Sequence, residues 1–422
     1  MAVGGSVLRR APVVVVSCGN IASAAATWYL IWLFARFSGA EAVGMYAGLI
    51  ALTSPVFIGA QLGLRNLYIT VQSVVRWKAF LALRAAGILV ALGVATTALT
   101  MWAPSHSASM AGAIVLMKTA NSVADLYFAR IQRTERMGIF GTILLCDAAC
   151  TVVAATAVML LSGSVVGAVW AGTGVAVLSA AVTCALAART PPAGLVPERP
   201  LRQDMRLLIS HGVPLALSQG IQSLLTYLPV AIVAWLGTQA DVGVYSSAAY
   251  LVTFANLLGA SVQTAVLPQY RRRFETAGPT SLYRHITRSG YMCLASLAPL
   301  TLVAVALGPW LLALVYGDEF QISRSAVLFF AVAAVICLPT YLLSSFHLVL
   351  NRYWVMTFVG AGAVVVVVLS GGTGALLDLG AVESGGLAVL GSIVCRYLAA
   401  EVVARRSVFR QGPVSIGERT PV

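Results

Sequence analysis

The sequence contains little charge: lysine, arginine, aspartate and glutamate make up 10% of its 422 residues, whereas 59% are hydrophobic. An average soluble domain has about 25% charged residues, so this chain cannot cover the surface of a water-soluble globule with charge. The composition therefore excludes a soluble enzyme, a secreted disulfide scaffold and a disordered chain. It predicts an all-α polytopic membrane protein.

The sequence also lacks the patterns that support chemistry. Its seven cysteines fall inside apolar runs without a CxxC or Cys/His pattern, and its four histidines are scattered. No GxxxxGK[ST] phosphate-binding loop is present, so we expect no ATP hydrolysis by this chain. We predict that the protein is not an enzyme and needs no metal and no organic cofactor.

Twelve segments are long enough to cross a bilayer, since a spanning helix needs about 20 residues. Ten are recognised from stretches free of charged residues, after the apolar stretch 148–188 is divided at Ser162-Gly163-Ser164. Two contain charges: span four (about 109–130) and span twelve (about 384–403). We therefore predict twelve transmembrane helices.

Basic residues are distributed unevenly between the two sides of these helices. With the N-terminus in the cytoplasm, about 25 basic residues fall on the inner side, as the positive-inside rule requires. The outer side holds only Arg36 and Arg324. We predict a multi-pass protein of the bacterial cell (inner) membrane with both termini cytoplasmic. The net charge of +13 thus reflects membrane topology, and we expect no nucleic-acid partner.

The chain divides into two predicted halves. A cytoplasmic linker at 189–206 contains Thr190-Pro191-Pro192 and separates an N-terminal six-helix bundle (1–188) from a C-terminal six-helix bundle with a short cytoplasmic tail (207–422). Val43-Gly44-Met45-Tyr46 aligns with Val242-Gly243-Val244-Tyr245, each after a short acidic outer turn. Both copies begin the second helix of their half from the same side, so we predict a parallel pseudo-two-fold repeat.

Several short motifs point to a known family. They are a Gly-x-Pro opening span seven, the loop Leu-Gly-x-x-x-x-Val-Gly-x-Tyr-Ser-x-Ala-x-x-Leu, a Pro-x-Tyr followed by basic residues, and the Gln-x-x-x-Arg-Met from Gln132 to Met137. The chain resembles the oligosaccharide (O-antigen/polysaccharide) flippases of the multidrug/oligosaccharidyl-lipid/polysaccharide (MOP) exporter superfamily. It departs from these flippases at Tyr227-Leu228-Pro229. Span seven of the flippases often carries a charged pair at this place.

The resemblance implies export of a polyprenyl-diphosphate-linked oligosaccharide across the bacterial cytoplasmic membrane by alternating access, for surface polysaccharide biosynthesis. Its implied partners are the lipid-linked oligosaccharide, membrane lipids and polysaccharide assembly machinery. The sequence leaves the energy source open between the membrane potential, a proton and a sodium ion.

Charged residues inside predicted spans are the first candidates for binding substrate, because they are costly in a membrane. Lys118 lies about nine residues into span four, roughly 14 Å deep. Asp147 lies at a similar depth in span five, so we predict a pair in which Lys118 contacts phosphate and Asp147 is its partner or an ion-coupling carboxylate. A purely structural pair is equally compatible with the sequence. Asp125 follows Lys118 by seven residues and shares its helical face.

The other candidates lie nearer helix ends or are uncharged. Arg396 is deep in span twelve, although snorkelling to the inner surface is the favoured interpretation. Arg65 and Arg84 lie at inner helix ends, where snorkelling is again favoured, and Arg36 marks the outer end of span one. The uncharged candidates, which have polar side chains in spans two, four, seven and eight, are Gln61, Asn66, Asn121, Gln219, Gln222, Asn256 and Gln263.

Two other functions remain open. A cation-coupled multidrug or metabolite antiporter of the same superfamily would favour carboxylates in its cavity, whereas the deep charges here are mixed. A membrane-embedded polysaccharide polymerase or ligase would need catalytic groups on a sizeable loop, and no such loop is evident.

Overall fold

The computed structural model describes residues 4–70, 75–102, 107–189 and 200–410, which form helices joined by short connections. The α-helices in this part of the chain are α1 (Gly4–Ala60), α2 (Leu64–Thr70), α3 (Trp77–Trp102), α4 (Ala108–Arg133), α5 (Met137–Ser162), α6 (Val165–Ala188), α7 (Leu201–Leu236), α8 (Gln239–Tyr316), α9 (Arg324–Val349), α10 (Tyr353–Leu376) and α11 (Ala381–Arg410). The predicted all-α class is confirmed.

Two of these helices are too long to be single spans. α1 has 57 residues and α8 has 78, whereas about 20 residues cross the hydrocarbon. Each is interrupted by a glycine in the left-handed region, Gly39 with φ 77° and Gly278 with φ 74°. Glycine adopts this conformation without the steric cost of a side chain. α1 and α8 are therefore each two helices joined at a sharp break.

Among the described residues, nine helices are long and apolar enough to cross a membrane. The chain is thus a multi-pass membrane protein. α4 is not among the nine, because charged side chains lower its hydropathy. When α1 and α8 are each divided at their glycine and α4 is added, the described ranges contain twelve helical segments long enough to cross a bilayer. The number that cross the bilayer remains a prediction.

The predicted division of the 148–188 stretch is confirmed by the ends of α5 and α6. Gly163 ends α5 with φ 63°, and the Ser164 hydroxyl accepts a hydrogen bond of 3.0 Å from the Gly167 amide at the start of α6. A serine at this position satisfies an amide that has no partner within the helix.

The two copies of the internal repeat meet through their glycines. A Cβ atom on Gly44 would lie 1.7 Å from the carbonyl oxygen of Gln239, and one on Gly243 would lie 2.0 Å from that of Ala40. Each carbonyl belongs to the residue four positions before the opposite glycine. The contact is therefore reciprocal, as a two-fold relation between the copies requires. Small residues allow this close backbone approach between membrane helices.

The chain forms two compact units. Unit 1 comprises 1–234, 238–247 and 315–320, and unit 2 comprises 235–237, 248–314 and 321–422. Most of the predicted linker, 190–199, lies outside the described residues, and α7 begins at Leu201, earlier than the predicted start of span seven. Unit 1 contains most of α7, whereas the predicted boundary assigned this helix to the second half. The division into six-helix halves stays a prediction.

Candidate functional site

A polar cavity of about 300 Å³ lies within unit 1. Five residues that the sequence offered as candidates line it: Gln61, Arg65, Asn66, Asp125 and Gln219. The other lining residues are Gly63 and Gln132.

The cavity forms where the helix before it ends early. The charge-free stretch 42–64 predicts that span two continues to Leu64, but α1 ends at Ala60 and a turn leads into the short α2. Leu62 has φ 52° and Gly63 has φ 57° in this turn. A Cβ on Gly63 would lie 2.7 Å from the Cβ of Leu215 in α7, so α7 packs directly on the turn. This break presents Gln61 and Arg65 to the cavity.

Asp125 forms the electrostatic centre of the cavity. Its Oδ1 lies 3.2 Å from Nη1 of Arg65, and its Oδ2 lies 2.9 Å from Nη2 of Arg84. The Arg84 side chain is 4% exposed, whereas that of Arg65 is 30% exposed. The expectation that Arg84 snorkels is therefore wrong. Arg84 is buried on α3, and the carboxylate of Asp125 on α4 compensates part of the cost of burying its charge.

Arg65 is held in a defined orientation on the cavity wall. Its Nε donates a hydrogen bond of 3.1 Å to Oε1 of Gln132, and its guanidinium carbon lies 5.0 Å from the ring centre of Phe140. Gln61 donates a longer bond of 3.4 Å to the Ser122 hydroxyl. These contacts fix the planar fork of Arg65 while leaving part of it accessible to the cavity.

The charges of this cluster do not cancel. Arg65 and Arg84 contribute two positive charges and Asp125 one negative charge, while the amide side chains on the cavity wall are neutral. The cluster therefore has an excess of one positive charge, which favours an anionic ligand. An arginine fork matches the geometry of phosphate oxygens, and amide groups can bond sugar hydroxyls.

Lys118 and Asp147 do not form the predicted pair. No ion pair joins them in the part of the chain that the structure describes, and the Asp147 carboxylate is within hydrogen-bonding reach of Ser179. Lys118 is half-buried. It lies on the same face of α4 as Asp125, about 10 Å further along the helix axis. The shared face was predicted correctly; the partner of Asp125 was not foreseen.

Unit 2 contains a second polar cluster that includes two predicted residues. The Asn256 carbonyl oxygen accepts hydrogen bonds from Cys337 at 3.2 Å and from Tyr341 at 3.3 Å. Arg396 is close enough to Cys337 and Tyr341 to act on both electrostatically, and it is half-buried. Its intermediate burial does not decide between snorkelling and a cavity role.

The remaining predicted residues lie elsewhere. Arg36 is exposed shortly before the Gly39 break, and Gln222 is exposed on α7. Gln219, the other candidate of span seven, lines the cavity. Gln132 was not predicted as a site residue, although it opens the Gln-x-x-x-Arg-Met motif and its spacing from Asp125 places both on one helical face.

Comparison with known proteins identifies the fold. No protein-family model and no curated protein sequence matches the chain. Solved structures match nearly all of it: the lipid II flippase MurJ in an inward closed conformation has a TM-score of 0.70 and 10% identity, covering 96% of this chain and 94% of that one. An inward-facing MATE family multidrug resistance transporter of the MOP superfamily has a TM-score of 0.67 and 15% identity, covering 94% and 95%.

A third match is a MOP superfamily transporter from Pyrococcus furiosus, with a TM-score of 0.58 and 15% identity, covering 94% of this chain and 95% of that one. The sequence motifs pointed to the MOP superfamily, and solved structures of MOP superfamily transporters have the same fold as this chain. The chain has the fold of the MATE and MurJ transporters.

Proposed function

We propose that the chain is a flippase that exports a polyprenyl-diphosphate-linked oligosaccharide across a bacterial cytoplasmic membrane for surface polysaccharide biosynthesis. One observation carries this proposal: two arginines share a single carboxylate, Asp125, at the wall of a polar cavity. The excess positive charge and the partly exposed Arg65 fork suit a diphosphate, because charge-assisted bidentate bonds to phosphate are strong.

The size of the cavity suits one part of such a substrate. Small-molecule sites range over about 300–1,000 Å³, and this cavity lies at the lower end at about 300 Å³. It accommodates a diphosphate and an adjoining sugar, while the polyprenyl chain stays in the lipid. Lys118, two turns from Asp125 on the same face of α4, is not among the residues that line the cavity, so its predicted contact with phosphate requires a substrate that extends about 10 Å along α4. Alternating access, driven by the membrane potential or by a coupled proton or sodium ion, completes the proposed mechanism.

The test measures lipid-linked oligosaccharide in the inner leaflet of a strain that lacks the gene. We expect accumulation, with rescue by the wild type and failure of Arg65→Gln, since losing a hydrogen bond to a charged group costs about 1.5–3 kcal/mol, or about 10- to 100-fold. Arg65→Lys keeps the charge but loses the fork, so we expect partial rescue. Arg271→Gln removes an exposed arginine and serves as the matched control at equal expression.

The outcomes separate the function from its site. No accumulation in the strain without the gene would overturn the flippase proposal. Rescue by Arg65→Gln at the wild-type level would keep the flippase but remove the cavity as its headgroup site.

A cation-coupled multidrug antiporter is the second candidate. It is favoured by the similarity to MATE structures and by Asp147, a half-buried carboxylate in α5. This function predicts that Asp147→Asn abolishes ion-driven efflux of a cationic drug while leaving lipid-linked oligosaccharide levels unchanged.

A further inference from the structure

Unit 2 has its own groove, of about 640 Å³, along the part of α8 that follows Gly278. The residues that carry the argument are Tyr283, Arg284, Arg288, Tyr291 and Met292 of α8 and Val408 of α11. The α8 residues recur at intervals of three and four, so they form one face of that helix.

The character of this face changes along the helix. Arg284 and Arg288 are exposed one turn apart. They lie just before the charge-free stretch 289–317, which predicts that span nine begins at residue 289. Tyr291 and Met292 follow within the predicted span and are 52% and 63% exposed. Two cations at the predicted membrane surface are therefore continued by an accessible apolar strip within the hydrocarbon.

The groove retains an excess of positive charge. Glu401, the acidic residue close to it, accepts a hydrogen bond from Tyr283 and forms an ion pair of 2.8 Å with Arg405. No carboxylate pairs with Arg284 or Arg288 in the described ranges. Just outside the predicted span, burial and the positive charges of Arg273 and Arg288 lower the pKa of His285, so this histidine adds no cation at neutral pH.

We propose that this groove binds an anionic phospholipid of the membrane, with its phosphate at Arg284 and Arg288 and an acyl chain along Tyr291 and Met292. Basic pockets beside transmembrane helices on the cytoplasmic side attract anionic headgroups. The apolar continuation favours a lipid over a free phosphate ion, because only a lipid can contact the two arginines and the strip of Tyr291 and Met292 at the same time. This site is separate from the cavity beside Asp125 and does not depend on the proposed transport.

The test measures lipid retention by the full-length protein in detergent, using native mass spectrometry with added phosphatidylglycerol, phosphatidylcholine or inorganic phosphate. We expect phosphatidylglycerol to bind more tightly than the other two probes. The double variant Arg284→Gln/Arg288→Gln should weaken its binding by about thirtyfold. Each basic residue near an anionic membrane surface strengthens binding by about five- to sixfold, and the variant removes two.

Three further variants complete the experiment. Arg284→Lys/Arg288→Lys keeps both charges and should stay within a few-fold of the wild type, whereas Arg271→Gln/Arg272→Gln removes the same charge from exposed positions elsewhere on α8 and should change little. Met292→Asp leaves both arginines in place but puts a charge in the acyl path, so it should also weaken binding. Size-exclusion profiles verify that each variant is folded.

Three results would overturn the proposal. They are wild-type phosphatidylglycerol binding by a folded Arg284→Gln/Arg288→Gln variant, equal retention of phosphatidylcholine, and equally tight binding of inorganic phosphate. If the glutamine double variant fails to fold, unchanged binding by Met292→Asp would overturn it instead.

Discussion

Replacing Asp125 by asparagine should destabilise the protein more than any other single change in the cavity. The substitution keeps the shape of the side chain but removes the carboxylate that faces Arg84, whose side chain is 4% exposed. Leaving one member of a buried ion pair without its partner costs about 3–5 kcal/mol. Arg65 is 30% exposed and can recover hydration, so we expect the lower end, about 3 kcal/mol.

A double-mutant cycle isolates the buried pair. Arg84→Met should cost only about 1 kcal/mol, because Asp125 keeps Arg65 and the methionine fills apolar surroundings. The variant Arg84→Met/Asp125→Asn no longer has the buried charge, so it should be more stable than Asp125→Asn alone by about 2 kcal/mol. The free energy of unfolding can be measured by sodium dodecyl sulfate titration in mixed micelles.

The control for this cycle is Arg271→Gln, which breaks an exposed ion pair with Glu275 at 3.3 Å. Exposed pairs contribute about 0–1 kcal/mol, so this variant should resemble the wild type. Additive costs for Arg84→Met and Asp125→Asn would refute the argument, as would an Asp125→Asn protein as stable as the control.

Three further perturbations test other contacts. Gly44→Val should sharply reduce the yield of folded protein, because its Cβ would lie 1.7 Å from a carbonyl oxygen, whereas Gly59→Val, with open space around it, should be nearly neutral in the same size-exclusion assay. Glu319→Gln should lower the unfolding free energy by about 1 kcal/mol, since the Glu319 carboxylate accepts a 2.9 Å bond from the Ala40 amide at the start of a helix and glutamine lacks the negative charge that stabilises this helix end. Asn256→Leu should cost about 1–3 kcal/mol by leaving hydrogen-bond donors without their acceptor, and a cost below 0.5 kcal/mol would show that this polar cluster contributes little to stability.

Local features of the fold were predictable because they depend on residues that are close in sequence. The helix break at Ser162-Gly163-Ser164 follows from a left-handed glycine and a serine cap. The shared face of Lys118 and Asp125 follows from the helical period, and the repeat around Gly44 and Gly243 was visible as an alignment. The end of α1 at Ala60, before the charge-free stretch 42–64 is finished, was not foreseen, since apolar composition alone does not locate a turn.

The contacts of the site depend on residues that are distant in sequence. Arg84 is 41 positions from Asp125 and Arg65 is 60, and periodicity gives a face of a helix without giving the neighbouring helix. The same reason explains why Lys118 was assigned to Asp147 by depth, whereas Asp147 lies beside Ser179.

The sequence by itself determined that this is a membrane protein, that it is helical and that it contains a repeat, because hydropathy, charge and helical period are local properties. Only the tertiary structure decided which charges meet. The packing of α3 against α4 brings the buried Arg84 to Asp125, and α2 adds Arg65. The resulting surplus of positive charge arises from the packing of helices, so no single segment of the sequence contains it.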